Sequence, residues 1–217
     1  MKTIGKKFLA SGCLIILFFI IWTLVLLTVD VRPAGVNGTD IGFAAVNTYF
    51  HSLTGVNMTL YTVTDWLGLV PLFICVLFGT IGFIQLIKRR NLFKVDRDIL
   101  ILGVYYIIVM LCYFIFETIP VNYRPVLIDG IQEISYPSST TLLVLSVMLT
   151  LSFQTGRRLK GKFSQRLIRI AVTVFSAFMV TARLISGVHW LSDIIGALLL
   201  STGLYLLYKG AVLYREN

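Results

Sequence analysis

Six runs of roughly 20 apolar residues, each bounded by charge, constrain this 217-residue chain; they cover approximately residues 8–29, 67–87, 99–119, 138–155, 167–185 and 190–208. A helix needs about 20 mostly apolar residues to cross the hydrocarbon core of a bilayer. The runs therefore predict an all-α integral membrane protein, a six-transmembrane-helix bundle forming a single domain over residues 1–217. Composition agrees, because 57% of the residues are hydrophobic and only 13% charged, against about 25% charged in a soluble domain. The first run follows Lys2, Lys6 and Lys7 as a signal peptide would. It is longer than the roughly 7–15 residues of a cleavable apolar region, so it reads as a retained span. Cys13, Cys75 and Cys112 lie within apolar runs without metal-ligand or disulfide spacing and read as packing residues.

A formal net charge of +9 would suggest nucleic acid as a partner of a soluble protein. Sorted by side of the membrane, it says something else. With the N-terminus inside, 16 of the 19 basic residues and three of the ten acidic ones (Asp96, Asp98, Glu216) fall on the inner face, giving +13 there and −4 outside. So strong a positive-inside bias predicts both termini in the cytoplasm and removes the need for a nucleic-acid partner. The basic loops instead suit anionic lipid head groups. Outside, a long connection over residues 30–66 carries apolar residues at helical spacing within 42–56, predicting a short interfacial helix between spans one and two. The other long outer connection covers 118–137.

Arg32, Arg124 and Arg183 are the three basic residues left on the outer side, and the last two flank helix ends. His189 and Asp193 stand four residues apart at the start of the sixth span, on one helix face. That spacing lets the carboxylate accept the imidazole Nδ1 proton, fix the tautomer and leave Nε2 free to attack an electrophile. Taken alone, such a histidine also suits an interfacial polar residue. Pro137-Ser138-Ser139-Thr140 precedes span four; it makes an ordinary helix start, and equally an anion site whose free N–H groups and hydroxyls would enclose a phosphate together with Arg124 and Arg183.

The order of these residues resembles the type 2 phosphatidic acid phosphatase family, related to the vanadium haloperoxidases. That family carries K-x6-R-P at the end of the third span, P-S-G-H at the start of the fourth, and S-R-x5-H-x3-D between the fifth and sixth. Here the third motif reads Ala182-Arg183-x5-His189-x3-Asp193, the first Glu117-x6-Arg124-Pro125, and the second Pro137-Ser138-Ser139-Thr140. The resemblance implies a metal-independent, cofactor-free enzyme in the cell membrane that hydrolyses a phosphorylated lipid substrate, a lipid phosphate or isoprenoid (pyro)phosphate, on the extracytoplasmic side. It implies His189 as the nucleophile forming a phosphohistidine and Asp193 as its orienting partner. Arg124, Arg183, Ser138, Ser139 and Thr140 would bind phosphate. Ala182 stands where the third motif has its leading serine and Ser139 where the second has its glycine, and two further departures bear on the chemistry: Thr140 replaces the histidine that protonates the leaving oxygen, and Glu117 replaces a phosphate-binding lysine. Three readings of Glu117 stand at this point: a replacement proton donor, a structural ion pair with Arg124 or Arg183, or the mark of a protein that binds or transports phosphorylated lipids without cleaving them.

Overall fold

The computed structural model describes residues 2–214, so Arg215 and Glu216, counted above in the inner charge, lie outside it. Among the described residues eight α-helices follow one another: α1 (Lys2–Leu26), α2 (Ala44–Thr54), α3 (Met58–Leu67), α4 (Leu69–Arg89), α5 (Arg97–Thr118), α6 (Ser139–Arg158), α7 (Lys162–Ile185) and α8 (Leu191–Tyr214). Among the described residues there is no strand, only isolated bridges such as Tyr123 with Ile134. Six segments are long and apolar enough to cross a membrane: α1, α3 with α4, and α5 to α8. Helices are what such sequences must form, because lipid offers no partner to a free backbone N–H or C=O.

The layering follows polarity. The spans with the lowest hydropathy, α6 and α8, are buried over at least half their length, and the other four over less than a third. Polar side chains of α6 pair with neighbouring helices inside the bundle: Tyr106 meets Thr150 at 3.0 Å, and Gln154 Nε2 donates to the Tyr208 hydroxyl of α8 at 2.7 Å. Such bonds between helices hold where neither water nor lipid could satisfy these groups. The outer spans present apolar side chains such as Leu17, Phe18, Phe73 and Phe114 to the lipid. Cys13, expected to pack inside, is exposed on α1.

A glycine repeat joins α1 to α8. Gly196, Gly203 and Gly210 recur every seven residues on α8, as do Gly5 and Gly12 on α1. The helices run antiparallel with Gly5 against Tyr214, Gly12 against Leu207, Gly203 against Ile16 and Gly210 against Leu9; a Cβ on any of these glycines would come within 3.0 Å of its neighbour. A period of seven keeps small residues on one seam, and their missing side chains let the backbones approach. Gly196 instead receives the Tyr136 ring, which thereby anchors the segment between α5 and α6. At the end of the bundle holding the 90–96 turn, Asp96 and Asp98 tie α4, α5 and α6 together through Arg89 and Arg158 at 2.8–3.3 Å.

At the opposite end lie the long connections. Helix α2 fills the centre of the expected interfacial segment and exposes Val46, Tyr49 and Leu53 on one face while burying Ala44 and Asn47 on the other. Helix α3 was not expected. Asn57 caps it by accepting the Leu60 N–H at 2.9 Å, and it passes through Gly68 into α4. The segment before α6 folds back on itself, with the Arg124 N–H donating to Glu133 O at 3.0 Å and the Ser135 N–H to Asn122 O at 2.9 Å. The Tyr136–Pro137 peptide is cis.

Candidate active site

The turn between α7 and α8 delivers the histidine. Gly187 takes φ +69°, and a Cβ there would meet Gly55 O at 1.8 Å, so the turn packs its bare backbone against the end of α2. His51 on α2 contacts Gly187 O at 3.1 Å and lies against the Trp190 ring, tilted by 53°, a structural place rather than one in the cleft. His189 follows, 3% exposed, and Asp193 one turn on is fully buried.

These two side chains do not bond directly in the way the spacing predicted. His189 Nδ1 stands 3.8 Å from Asp193 Oδ2, beyond an N–H···O bond of about 2.7–3.2 Å. The Ser135 hydroxyl bridges the gap, 3.0 Å from Nδ1 and 2.5 Å from Oδ2. Asp193 Oδ2 also accepts the Trp190 N–H at 2.9 Å, and Asn122 reaches Oδ1 at 3.4 Å. The far nitrogen of the ring, Nε2, lies 3.2 Å from Arg183 Nη2. A guanidinium only donates, so Nε2 is the accepting, unprotonated nitrogen and the ring proton sits on Nδ1. Burial, with the positive charges of Arg124 and Arg183, holds the His189 imidazole well below its ordinary value of 6.5, which keeps it neutral.

Beside this group opens a cleft of about 550 Å³ lined by Tyr61, Asp65, Tyr113, Glu117, Arg124, Glu133, Ser139, Thr140 and Arg183, among others. Arg183 is 1% exposed and Arg124 7%. Their guanidinium carbons lie 4.9 and 5.6 Å from the Tyr61 ring centre, so one ring from α3 supports both. Arg124 Nε is 3.0 Å from Glu133 Oε2, a charge contact without hydrogen-bond alignment. Arg183 Nη1 donates to Thr64 Oγ1 at 3.4 Å. Among the described residues Arg124 Nη1 and Arg183 Nε are buried without a hydrogen-bond partner. Unpaired guanidinium N–H groups are costly to bury.

The remaining residues expected at the site divide. Ser139 and Thr140, in the first turn of α6, line the cleft; Ser138 is fully buried and donates its hydroxyl to Thr141 Oγ1 at 3.0 Å. Glu117 lines the cleft and a small adjoining cavity that it shares with Ser135. It forms no ion pair with either arginine among the described residues; Glu133 takes Arg124 instead. Sequence reasoning missed Ser135, Asn122, Tyr61, Thr64 and Glu133. They lie on the two long connections, where no periodicity tells which side chain turns inward. Among the described residues no group of three or more His, Cys, Asp or Glu side chains is placed to hold a metal ion.

Comparison with known proteins gives two findings. The sequence model of the PAP2 superfamily matches residues 73–216. Among solved structures, a transmembrane PAP2-type phosphatidylglycerolphosphate phosphatase from Bacillus subtilis superposes with a TM-score of 0.62 at 17% identity, covering 93% of this chain and 94% of that one. At that identity the likeness is one of fold. A search of curated proteins returns no match.

Proposed function

Because the chain belongs to the PAP2 superfamily, we propose that it is a membrane phosphatase hydrolysing a lipid phosphate or isoprenoid (pyro)phosphate through a phosphohistidine at His189. One observation carries this reading: two buried guanidinium groups with unpaired N–H atoms converge on a cleft, and one of them covers the bare Nε2 of a neutral histidine. A phosphate entering the cleft supplies the missing acceptors and draws Arg183 Nη2 off the Nε2 lone pair. Nε2 then attacks phosphorus as the ester oxygen departs, with two arginines and the first turn of α6 taking up the charge on the phosphoryl oxygens.

The leaving oxygen needs a proton. A threonine hydroxyl is far too weak an acid, so Thr140 serves for binding alone. Glu117 is the donor in this reading: it stands unpaired on the cleft wall and borders the cavity behind Ser135, whereas Glu133 is engaged by Arg124. After departure of the alcohol, the Glu117 carboxylate takes a proton from the water that cleaves the N–P bond. The positive-inside bias supports placing this end of the bundle outside the cytoplasm. A pocket at helix ends admits a head group while the hydrocarbon tail stays in lipid.

Purified protein in detergent is expected to release phosphate from a panel of lipid phosphates, with phosphatidylglycerolphosphate, named for the solved relative, included. His189→Ala should release none; equal release by the variant defeats the reading. A second reading rests on the three carboxylates, Asp65, Glu117 and Glu133, that share the cleft with two arginines. A protein that binds or transports the same lipids would show Arg124- and Arg183-dependent phosphate binding and no turnover at any pH.

A further inference from the structure

We propose that Ser135 is a positioning residue for His189, its hydroxyl being the link through which Asp193 holds the Nδ1 proton and orients the ring. This rests on the reading of His189 as nucleophile, and it replaces the direct carboxylate–imidazole pair that the i, i+4 spacing predicts. The geometry fixes each donor in turn. Asp193 is held by the Trp190 N–H, Asn122 and Ser135 as an acceptor. The single hydroxyl proton of Ser135 therefore goes to Oδ2, and its oxygen is left to accept from Nδ1–H. Arg183 Nη2 can only donate to the opposite nitrogen, which requires the same tautomer from the other side of the ring.

Ser135 is itself clamped. Its N–H donates to Asn122 O at 2.9 Å. Its neighbour Tyr136 lies against Gly196 of α8 and meets the Thr23 hydroxyl of α1 at 2.6 Å. The serine is thus placed by elements on both sides, and its 2% exposure keeps water from competing for the link.

The chemistry gives the link a task. When Nε2 forms its bond to phosphorus and the P–O bond breaks, the ring keeps the Nδ1 proton and becomes cationic. The Nδ1–H···Oγ–H···Oδ2 chain, its protons staying in place, stabilises that charge with the oriented hydroxyl dipole and the Asp193 carboxylate. When water later cleaves the N–P bond, the electron pair returns to Nε2 and the chain returns to its starting arrangement. No proton leaves through Ser135, because the leaving oxygen is served from the cleft side.

The test uses full-length protein with ¹⁵N-labelled histidine in detergent. The chain has only two histidines, and His51→Gln assigns their signals. Wild type is expected to show His189 as the neutral, Nδ1-protonated tautomer. Ser135→Ala should move the His189 Nδ1–H proton resonance upfield, because the bond to the serine–aspartate link is lost while Arg183 still disfavours a proton on Nε2, and should slow phosphoenzyme formation by about 10- to 100-fold, the loss expected for a hydrogen bond linked to a charged group. Inorganic phosphate binding should stay unchanged. Ser135→Thr, which keeps the hydroxyl, should stay within about threefold of wild type. An unchanged Nδ1–H resonance in Ser135→Ala overturns the proposal, whatever happens to the rate. So does a loss of phosphate binding equal to the loss of rate, since a merely structural serine would give that result. If wild type forms no phosphoenzyme at all, the catalytic reading fails while the Nδ1–H resonance still decides the role of Ser135.

Discussion

His189 is defined less by its own position than by the two groups at its nitrogens. Ser135 accepts the Nδ1 proton, and Arg183 covers the nitrogen that would react. Because the folded chain holds the imidazole well below 6.5 by burial and by two arginine charges, it favours the neutral ring. As pH falls through that value the unfolded chain takes up a proton that the folded one refuses, so this residue's contribution to stability is present above 6.5 and declines below it. In a histidine ¹⁵N titration, His189 is expected to remain neutral as pH passes down through 6.5; full protonation at that pH contradicts the burial argument. Glu117 gives a second test at this scale. Removing one negative charge beside Arg124 should tighten inorganic phosphate binding in Glu117→Gln, and removing the proton donor should abolish lipid phosphate hydrolysis. Retained hydrolysis would reject Glu117 as the acid. The spacing of His189 and Asp193 was legible in the sequence. The serine between them was not, because it lies 54 positions away from the histidine on a connection without periodicity.

At the scale of elements, the site is held by a seam and a platform. The seam is the α1–α8 contact, where glycines spaced by seven bring the backbones together and fix the helix that carries Asp193. A Cβ on Gly203 would lie 2.7 Å from Ile16, so Gly203→Leu must push the helices apart. We expect a loss of about 1–3 kcal/mol or more, read as a lowered melting temperature in detergent with a matching fall in activity. Unchanged melting would show that the seam tolerates a wedge. The platform is α3, whose Tyr61 lies against both guanidinium groups and whose Thr64 bonds one of them. The six spans were readable because about 20 apolar residues in lipid have one stable form. Helix α3 was hidden because it runs into α4 with only Gly68 between them. By hydropathy its first turns fall within the outer connection and its end within the second apolar run.

For the whole molecule, orientation and layering come from different physics. The charge split of +13 against −4 predicts which end faces the cytoplasm. In cells expressing a variant with Cys13, Cys75 and Cys112 changed to alanine, a membrane-impermeant maleimide should label Asp40→Cys from outside and leave Lys160→Cys unlabelled. The reverse pattern would place the cleft in the cytoplasm. Layering follows instead from burial of polar groups, with α6 and α8 innermost because their hydroxyl and amide side chains need partners that lipid lacks. The membrane class, the six spans and the charge asymmetry are legible in composition and run length, and short spacing singles out Arg124, Arg183, His189 and Asp193 as candidates. Packing is what puts Ser135 between His189 and Asp193, gives Arg124 to Glu133 rather than Glu117, and buries the Ser138 hydroxyl against Thr141. The physical reason is range: hydropathy and helical spacing act within about 20 residues along the chain. Hydrogen bonds and ion pairs between distant connections are settled only when the packed helices bring their ends together.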